Sequence, residues 1–76
     1  MWLMKAAEFV RKVRSLGKRK NVEVRFLAQR GKGSHATLYY GSARTVVQDL
    51  KRELPTGTLH AMLSQLGLRL TDIEKE

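Results

Sequence analysis

The chain has 76 residues, enough for one small domain (residues 1–76) but not for a separate cofactor domain. Fifteen Lys and Arg against seven Asp and Glu leave a net charge of +8, which favours nucleic acid, an anionic membrane surface or an acidic protein as partner. Cysteine is absent, which excludes disulfides, thiolate nucleophiles and cysteine-bound zinc. The lack of cysteine fits a reducing cytoplasm, and the apolar start MWLM is too short for a leader or a membrane span, so we expect a soluble, unprocessed cytoplasmic protein.

Residues 2–17 have the periodicity of an amphipathic helix. The apolar side carries Trp2, Ala6, Phe9, Val10, Val13 and Leu16, and the polar side carries Lys5, Glu8, Arg11, Lys12 and Ser15. Gly17 predicts a helix end with a left-handed residue at that position. The basic residues 18–20 would then face the negative end of the helix dipole, and we interpret them as a solvated cap rather than as an RNA contact.

Three strands are predicted after this helix. In residues 22–29, Val22, Val24, Phe26 and Ala28 alternate with Glu23, Arg25, Leu27 and Gln29. A second alternating run places Ala36, Leu38 and Tyr40 opposite His35, Thr37 and Tyr39. Gly41-Ser42 suits a two-residue hairpin into a third strand, residues 43–48. This turn pairs Tyr39 with Arg44, Thr37 with Val46 and His35 with Gln48 on the face that points away from the core.

The C-terminal third predicts one more helix. Residues 49–54 are charged and mixed, and Pro55 marks a boundary because it disfavours helical geometry in the residue before it. Thr56 or Gly57 is expected to cap the helix, whose apolar stripe of Leu59, Met62, Leu63 and Leu66 ends at Gly67. Residues 69–76 are expected to be a partly ordered tail with a capping box at Thr71 and Glu74, and with Ile73 folded back.

This order predicts an α+β fold, α-β-β-β-α, with both helices on one face of a three-stranded antiparallel sheet. The other face of the sheet is expected to stay open. A basic loop, RGKGSH, leads into the second strand and therefore places His35 at the edge of that open face.

The residue spacing argues against several kinds of catalytic site. The acidic residues are scattered singly apart from the terminal cluster, and His35 and His60 belong to different elements, so we expect no metal site. Ser34 lacks a second histidine and an orienting acid for nucleophilic catalysis. Gly31-x-Gly33 is too short for a dinucleotide motif and precedes no helix, so no cofactor is expected.

Metal-free RNA cleavage remains, in which the ribose 2′-hydroxyl is the nucleophile. Histidine can take or give a proton near neutral pH, which makes His35 the candidate general acid or base. Arg30 and Lys32 are candidates to bind phosphate, and Gly33 and Ser34 would let the backbone approach the RNA. From composition alone, an ordinary surface histidine is the more frequent outcome for such a residue. For His60 we expect a packing position at the boundary of the second helix.

Other residues extend the candidate RNA surface. Tyr39 can stack on an unpaired base with Arg44 beside it, although an ordinary cross-strand pair explains the two residues equally well. Lys51 and the amides near Thr56 and Thr58 can hold a further phosphate, or can belong to a solvated turn.

Two motifs in this order resemble the HicA family of bacterial toxins. They are Gly33-Ser34-His35 after a basic residue, and PTGTL from Pro55 followed by Leu63 and a helix end at Gln65-Leu66-Gly67. The resemblance implies a fold like the double-stranded RNA-binding domain and a metal-independent mRNA endonuclease that arrests translation and growth, with His35 as catalytic residue. It further implies a HicB-type antitoxin as partner, and no DNA contact by the toxin alone.

The chain departs from the family at two places. Many members have a second histidine where this chain has Ala36, and the connection from the first helix to the first strand, residues 18–21, is longer and more basic. Two alternatives to a nuclease remain open on the residues themselves. One is a non-catalytic module that binds double-stranded RNA by shape, and the other is a basic subunit whose role is to bind an acidic protein.

Overall fold

The structure is a computed structural model that describes residues 4–28 and 35–76. Its elements are β1 (Met4–Lys5), α1 (Ala6–Lys20), β2 (Val24–Ala28), β3 (Ala36–Tyr40), β4 (Ala43–Val47), β5 (Glu53–Leu54), α2 (Thr56–Gln65) and α3 (Leu70–Ile73). Strands β2, β3 and β4 form an antiparallel sheet in that order, with the helices on one side. The predicted α+β architecture is therefore confirmed, with a short strand pair and a short third helix added to it.

The β3–β4 hairpin has the predicted register. Tyr40 pairs with Ala43 around the two-residue turn, and Gly41 has a φ of 62°, which suits glycine at the first central position. The ladder continues through Tyr39–Arg44 and Thr37–Val46, and it ends at Ala36–Val47. His35 and Gln48, which were predicted to pair, are the next residues beyond this end, and both are exposed.

Helix α1 ends three residues later than expected, and the predicted role of Gly17 is wrong. The left-handed residue is Asn21, with φ 59° and ψ 43°. The Val22 N–H donates to the Gly17 carbonyl at 2.7 Å, which satisfies a carbonyl left over at the helix end. Gly17 is a buried residue of α1 at the point where the helix approaches β2. Its small size allows this close packing, and it does not reverse the chain.

The beginning of the predicted first helix is also different. Residues 2 and 3 lie outside the described residues, and Met4–Lys5 is a strand that pairs antiparallel with Glu53–Leu54. The Ala6 N–H donates to the Arg52 carbonyl at 2.8 Å, and the Ala7 N–H to the Leu50 carbonyl at 2.9 Å. These bonds satisfy helix N-terminal amides and hold the segment after β4 against the start of α1.

Pro55 occupies the N-cap position of α2, so the expectation of a Thr56 or Gly57 cap is wrong. Gly67 ends this helix as predicted, with a φ of 73°. The Leu68 N–H donates to the Leu63 carbonyl at 2.8 Å and the Gly67 N–H to the Ser64 carbonyl at 3.0 Å, the two bonds of a Schellman motif. A further hydrogen bond, from the Thr45 hydroxyl to the Gln65 side-chain carbonyl, ties α2 to β4.

The C-terminal segment folds back onto α1. Ile73 is fully buried, as the expectation of a folded-back Ile73 requires, but the capping box is different: the Asp72 carboxylate accepts a hydrogen bond from the Arg69 N–H at 2.8 Å. Glu76 accepts hydrogen bonds from Ser15 and Arg19, both at 2.8 Å. Helix α3 packs against α1, and Lys12, which was assigned to the solvent side of the helix, is buried.

The core lies between the helices and one face of the sheet. Its largest fully buried side chains are Met4, Phe9, Val13, Leu16, Leu38, Val47, Leu63 and Ile73. Val24, Phe26 and Tyr40 are half-buried and pack against this core. No helix formed by residues 4–28 and 35–76 combines the length and the apolar character that crossing a membrane requires.

Candidate nucleic-acid interface

The open face of the sheet carries an aromatic residue between two arginines. Tyr39 on the central strand β3 lies directly across from Arg25 on β2 and from Arg44 on β4. Because directly opposite residues point to the same side of a sheet, the three side chains form one row across all three strands. Arg25 and Arg44 are exposed and Tyr39 is half-buried, so the row is open to a ligand.

Arg25 is in contact with the tyrosine ring. Its guanidinium carbon lies over the ring, 5.6 Å from the centroid. A cation–π contact at an exposed site stabilises by about 0.5–1 kcal/mol, and stacking of a base on an aromatic side chain contributes about 1–3 kcal/mol. A nucleic-acid base can therefore displace the guanidinium from the ring, and the freed Arg25 can then bind a phosphate.

A second row of the same face is apolar at both ends. Leu27 lies across from Thr37, which in turn lies across from Val46. Leu27 is 45% exposed and Val46 is 53% exposed, although both are large apolar residues. Single exposed apolar side chains are common, but two in one row beside the Arg25–Tyr39–Arg44 row make a continuous surface of mixed apolar and cationic character.

His35 lies at the end of this surface. It is exposed and directly precedes β3, whose first residue, Ala36, is buried on the core side. The alternation of side chains along a strand assigns His35 to the side of Thr37 and Tyr39, the open side. Tyr39 is four residue steps from His35 along extended chain, a distance of about 13 Å at a rise of ~3.3 Å per residue. The apolar row lies between them.

Lys51, Thr56 and Thr58 are exposed as expected, but they do not lie on the open face of the sheet. They belong to the segment after β4 and to the first turn of α2. The Lys51 N–H donates to the Asp49 carboxylate at 3.0 Å. Thr58 lines a cleft of about 500 Å³ beside β4 in which Asp49, Arg52 and Glu53 contribute both signs of charge. This mixed charge gives the cleft no clear preference for phosphate.

The basic loop residues Arg30, Lys32, Gly33 and Ser34 lie outside the described residues, so their predicted roles stay predictions. His60, expected at a packing boundary, is exposed on α2. The described residues contain no group of three or more His, Asp and Glu side chains that could hold a metal ion. Glu23 directly precedes β2 and lies next to the turn of the β3–β4 hairpin, at the opposite end of the sheet from His35.

Arg25 is the charged residue of this surface that sequence reasoning missed, together with the apolar Leu27 and Val46. The alternation of residues 22–28 already assigns it to the polar side of its strand. Its position next to Tyr39 depends on the β2–β3 register, and the two strands are joined by residues 29–35, too long a connection for turn chemistry to specify the pairing.

Comparison with known proteins finds no match to this chain among family models, curated proteins or solved structures. The resemblance to HicA toxins therefore stays a sequence-based prediction. The features that bear on its function are its net charge of +8, its open sheet face and the exposed His35.

Proposed function

We propose that the protein is a metal-independent endoribonuclease that cleaves mRNA, with His35 as its general acid or base. The observation that carries the proposal is the position of His35: it is exposed and directly precedes β3, where the strand alternation assigns it to the open side, at the end of a surface that contains the Arg25–Tyr39–Arg44 row. A cationic and aromatic surface binds a polyanion with unpaired bases, and an imidazole at its edge meets the ribose-phosphate chain.

In the proposed reaction the ribose 2′-oxygen attacks the adjacent phosphorus while the bond from phosphorus to the 5′-oxygen breaks. One proton leaves the 2′-hydroxyl and one is added to the departing 5′-oxygen, and His35 transfers one of these two protons. The products are a 2′,3′-cyclic phosphate and a 5′-hydroxyl. Arg30 and Lys32 are the candidates to stabilise the extra negative charge on the phosphate oxygens.

The HicA resemblance supports the biological setting of this activity. A HicA-like toxin would arrest translation and growth by cutting mRNA until a HicB-type antitoxin binds it. The net charge of +8 favours an antitoxin whose contact surface is acidic.

The test uses the two histidines of the chain as a matched pair. His35→Ala and His35→Gln are expected to lower the rate of RNA cleavage by about 10²- to 10⁴-fold, the usual contribution of a general acid or base. His60→Ala, also at an exposed position, is expected to cleave like the wild type. Cleavage is followed on a denaturing gel, with circular dichroism to confirm that each variant is folded.

Two controls sharpen the result. An RNA with a 2′-deoxy nucleotide at the cleavage site is expected to resist cleavage, and expression of the His35→Ala chain is expected to permit growth where the wild type arrests it. If the His35 variants still cut RNA, His35 is not the general acid or base. If the wild type binds RNA and leaves its length unchanged, the chain is a non-catalytic RNA-binding module.

A further inference from the structure

We infer that the open sheet face is a binding platform for single-stranded RNA, on which Arg25, Tyr39 and Arg44 hold one nucleotide and Leu27 and Val46 hold the next one toward His35. The inference deepens the proposed function, and its relevance to cleavage rests on that function. It adds Arg25, Leu27 and Val46 to the binding surface and makes the substrate an unpaired strand.

The first row has the chemistry of one nucleotide site. The Tyr39 ring offers a stacking surface in the middle once a base displaces the Arg25 guanidinium that lies over it, and Arg25 and Arg44 flank Tyr39 on the neighbouring strands. An RNA strand that runs along β3 passes between Arg25 and Arg44, because the neighbouring strands lie only about 4.8 Å to either side, so both guanidinium groups are placed beside its phosphates. Cations beside a stacking aromatic residue are typical of proteins that bind single strands.

The second row extends this site in the direction of the histidine. Leu27 and Val46 flank Thr37 and are 45% and 53% exposed, so an apolar surface separates Tyr39 from His35. An apolar surface can cover the face of a base but gains nothing from phosphate. An RNA strand that stacks on Tyr39 and reaches His35 therefore crosses this row with a base facing it.

The same arrangement disfavours a duplex. In an A-form helix the bases are stacked on one another, and a protein meets chiefly phosphates and 2′-hydroxyl groups. Such a helix cannot use the Tyr39 ring or the apolar row, and it would bury Leu27 and Val46 against charged backbone. A surface that binds duplex RNA by charge alone would need neither the Tyr39 ring nor the apolar row.

The inference is tested by binding, with probes that cannot be cleaved. A fluorescent 2′-O-methyl oligonucleotide, alone or annealed to its complement, lacks the attacking 2′-hydroxyl, so its affinity is measured by anisotropy whether or not the protein is a nuclease. The single strand is expected to bind at least tenfold more tightly than the duplex at moderate salt.

Four variants separate the contributions of the two rows. Tyr39→Leu is expected to weaken single-strand binding by about 5- to 150-fold, whereas Tyr39→Phe keeps the ring and the affinity. Arg25→Gln is expected to weaken binding and to lower the slope of log K against log salt by about 0.7. Replacing both Leu27 and Val46 with Thr is expected to weaken binding several-fold without a change in that slope.

Arg14→Gln is the charge-matched control, since Arg14 is exposed on α1, on the other side of the sheet. Circular dichroism checks that each variant is folded. The inference is overturned if Arg25→Gln binds like Arg14→Gln, if Tyr39→Leu binds like the wild type, or if the duplex binds as tightly as the single strand. A face that instead receives a protein would leave all these RNA affinities unchanged.

The nuclease proposal and the binding-platform inference can be overturned independently of each other. A wild type that binds the single strand through this face and cuts no RNA would overturn the nuclease and leave the platform standing. Cleavage that depends on His35 and is unaffected by the Arg25, Tyr39, Leu27 and Val46 substitutions would overturn the platform alone.

Discussion

Gly17 of α1 and Val24 of β2 lie so close together that a β-carbon on Gly17 would overlap the Val24 Cγ2 atom. The same β-carbon would lie 2.8 Å from the Val22 carbonyl oxygen, which is backbone and cannot rotate away. The last turns of the helix can therefore approach the sheet only with glycine at this position. This contact sets the distance between α1 and β2.

Gly17→Ala is accordingly expected to destabilise the protein. Overpacking costs about 1–3 kcal/mol, and the gain in helix propensity from Gly to Ala is about 1 kcal/mol, so overpacking outweighs it. We expect a lower urea midpoint with an unchanged m-value, corresponding to a loss on the order of 1 kcal/mol.

Gly57→Ala is the matched control, since a β-carbon there meets no atom within 4 Å in the first turn of α2. It is expected to be neutral or to stabilise by up to about 1 kcal/mol. A Gly17→Ala protein as stable as Gly57→Ala would show that the close approach of α1 to β2 is not required.

Glu76 links the C-terminus to α1 and makes stability depend on pH. Hydrogen bonds from Ser15 and then from Arg19, aided by the charges of Arg19 and Lys12, hold the pKa of this carboxyl below its usual value of 4.5. Because the pKa is lower in the folded state, the ionised carboxylate stabilises the fold above pH 4.5, and this contribution is lost as pH falls through the folded-state pKa.

Glu76→Gln is therefore expected to lower the melting temperature at neutral pH and to match the wild type at the acidic end, below the folded-state pKa. The slope of stability against pH below 4.5 becomes shallower in the variant. Glu74→Gln, an exposed position in the same tail, serves as control. Parallel pH profiles for the wild type and Glu76→Gln would contradict the prediction.

The Ile73 side chain packs the third helix, α3, against the core. It is fully buried, and truncation of a buried Ile to Ala costs about 2–5 kcal/mol. A chain of this size has a total stability of about 4–11 kcal/mol at the usual ~0.05–0.15 kcal/mol per residue, so the loss is a large part of it. Ile73→Ala is expected to lower the urea midpoint strongly, and Ile73→Val by about 0.5–1.5 kcal/mol. Equal stability of Ile73→Ala and the wild type would show that residues 70–73 do not contribute to the cooperative fold.

Gly67 and Asn21 both adopt left-handed backbone conformations at helix ends, with φ of 73° and 59°. Gly67→Ala is expected to cost about 1–2 kcal/mol, because a β-carbon is strained in that conformation. Asn21→Gly is expected to be neutral or stabilising, since glycine adopts it freely. In thermal melts, Gly67→Ala is expected to lower the melting temperature, and Asn21→Gly is expected to raise it or leave it unchanged. A stabilising Gly67→Ala would contradict the assigned helix end.

RNA cleavage is expected to continue at full rate after dialysis against a chelator. The described residues contain no group of three or more metal-ligating side chains, and the proposed reaction moves protons through His35. The measurement is the cleavage rate with EDTA, and with Mg²⁺ restored as the control. A rate that falls with EDTA and recovers with Mg²⁺ would require a metal in the reaction.

Turn chemistry and side-chain period were enough to predict the hairpin and the strands it joins. Gly41-Ser42 specifies the pairing of Tyr39 with Arg44, since a two-residue turn leaves one register. The period of 3.6 predicts α1 and α2, and Gly67 marks the end of α2. These signals lie within a few residues of one another, so they can be recognised without knowledge of the rest of the fold.

The errors involve residues that are far apart in the chain. Met4 was assigned to a helix because its pairing with Leu54 leaves no trace in local periodicity. The helical period predicts Lys12 on the solvent side of α1, because the packing of α3 on α1 joins segments more than fifty residues apart and leaves no local signal. Gly17 was assigned to a helix end because its contact with Val24 depends on how the helix packs.

The sequence by itself therefore determined the order and type of the main elements, the inner and outer sides of the hairpin, and the position of His35 directly before β3. Only the tertiary structure decided that Arg25 stands next to Tyr39, that Leu27 and Val46 bracket Thr37, and that the C-terminus closes over α1. The physical reason is that side-chain period and turn preference act between neighbours in the chain. Strand register across a long connection, and helix docking, arise from packing between segments that meet only when the whole chain is folded.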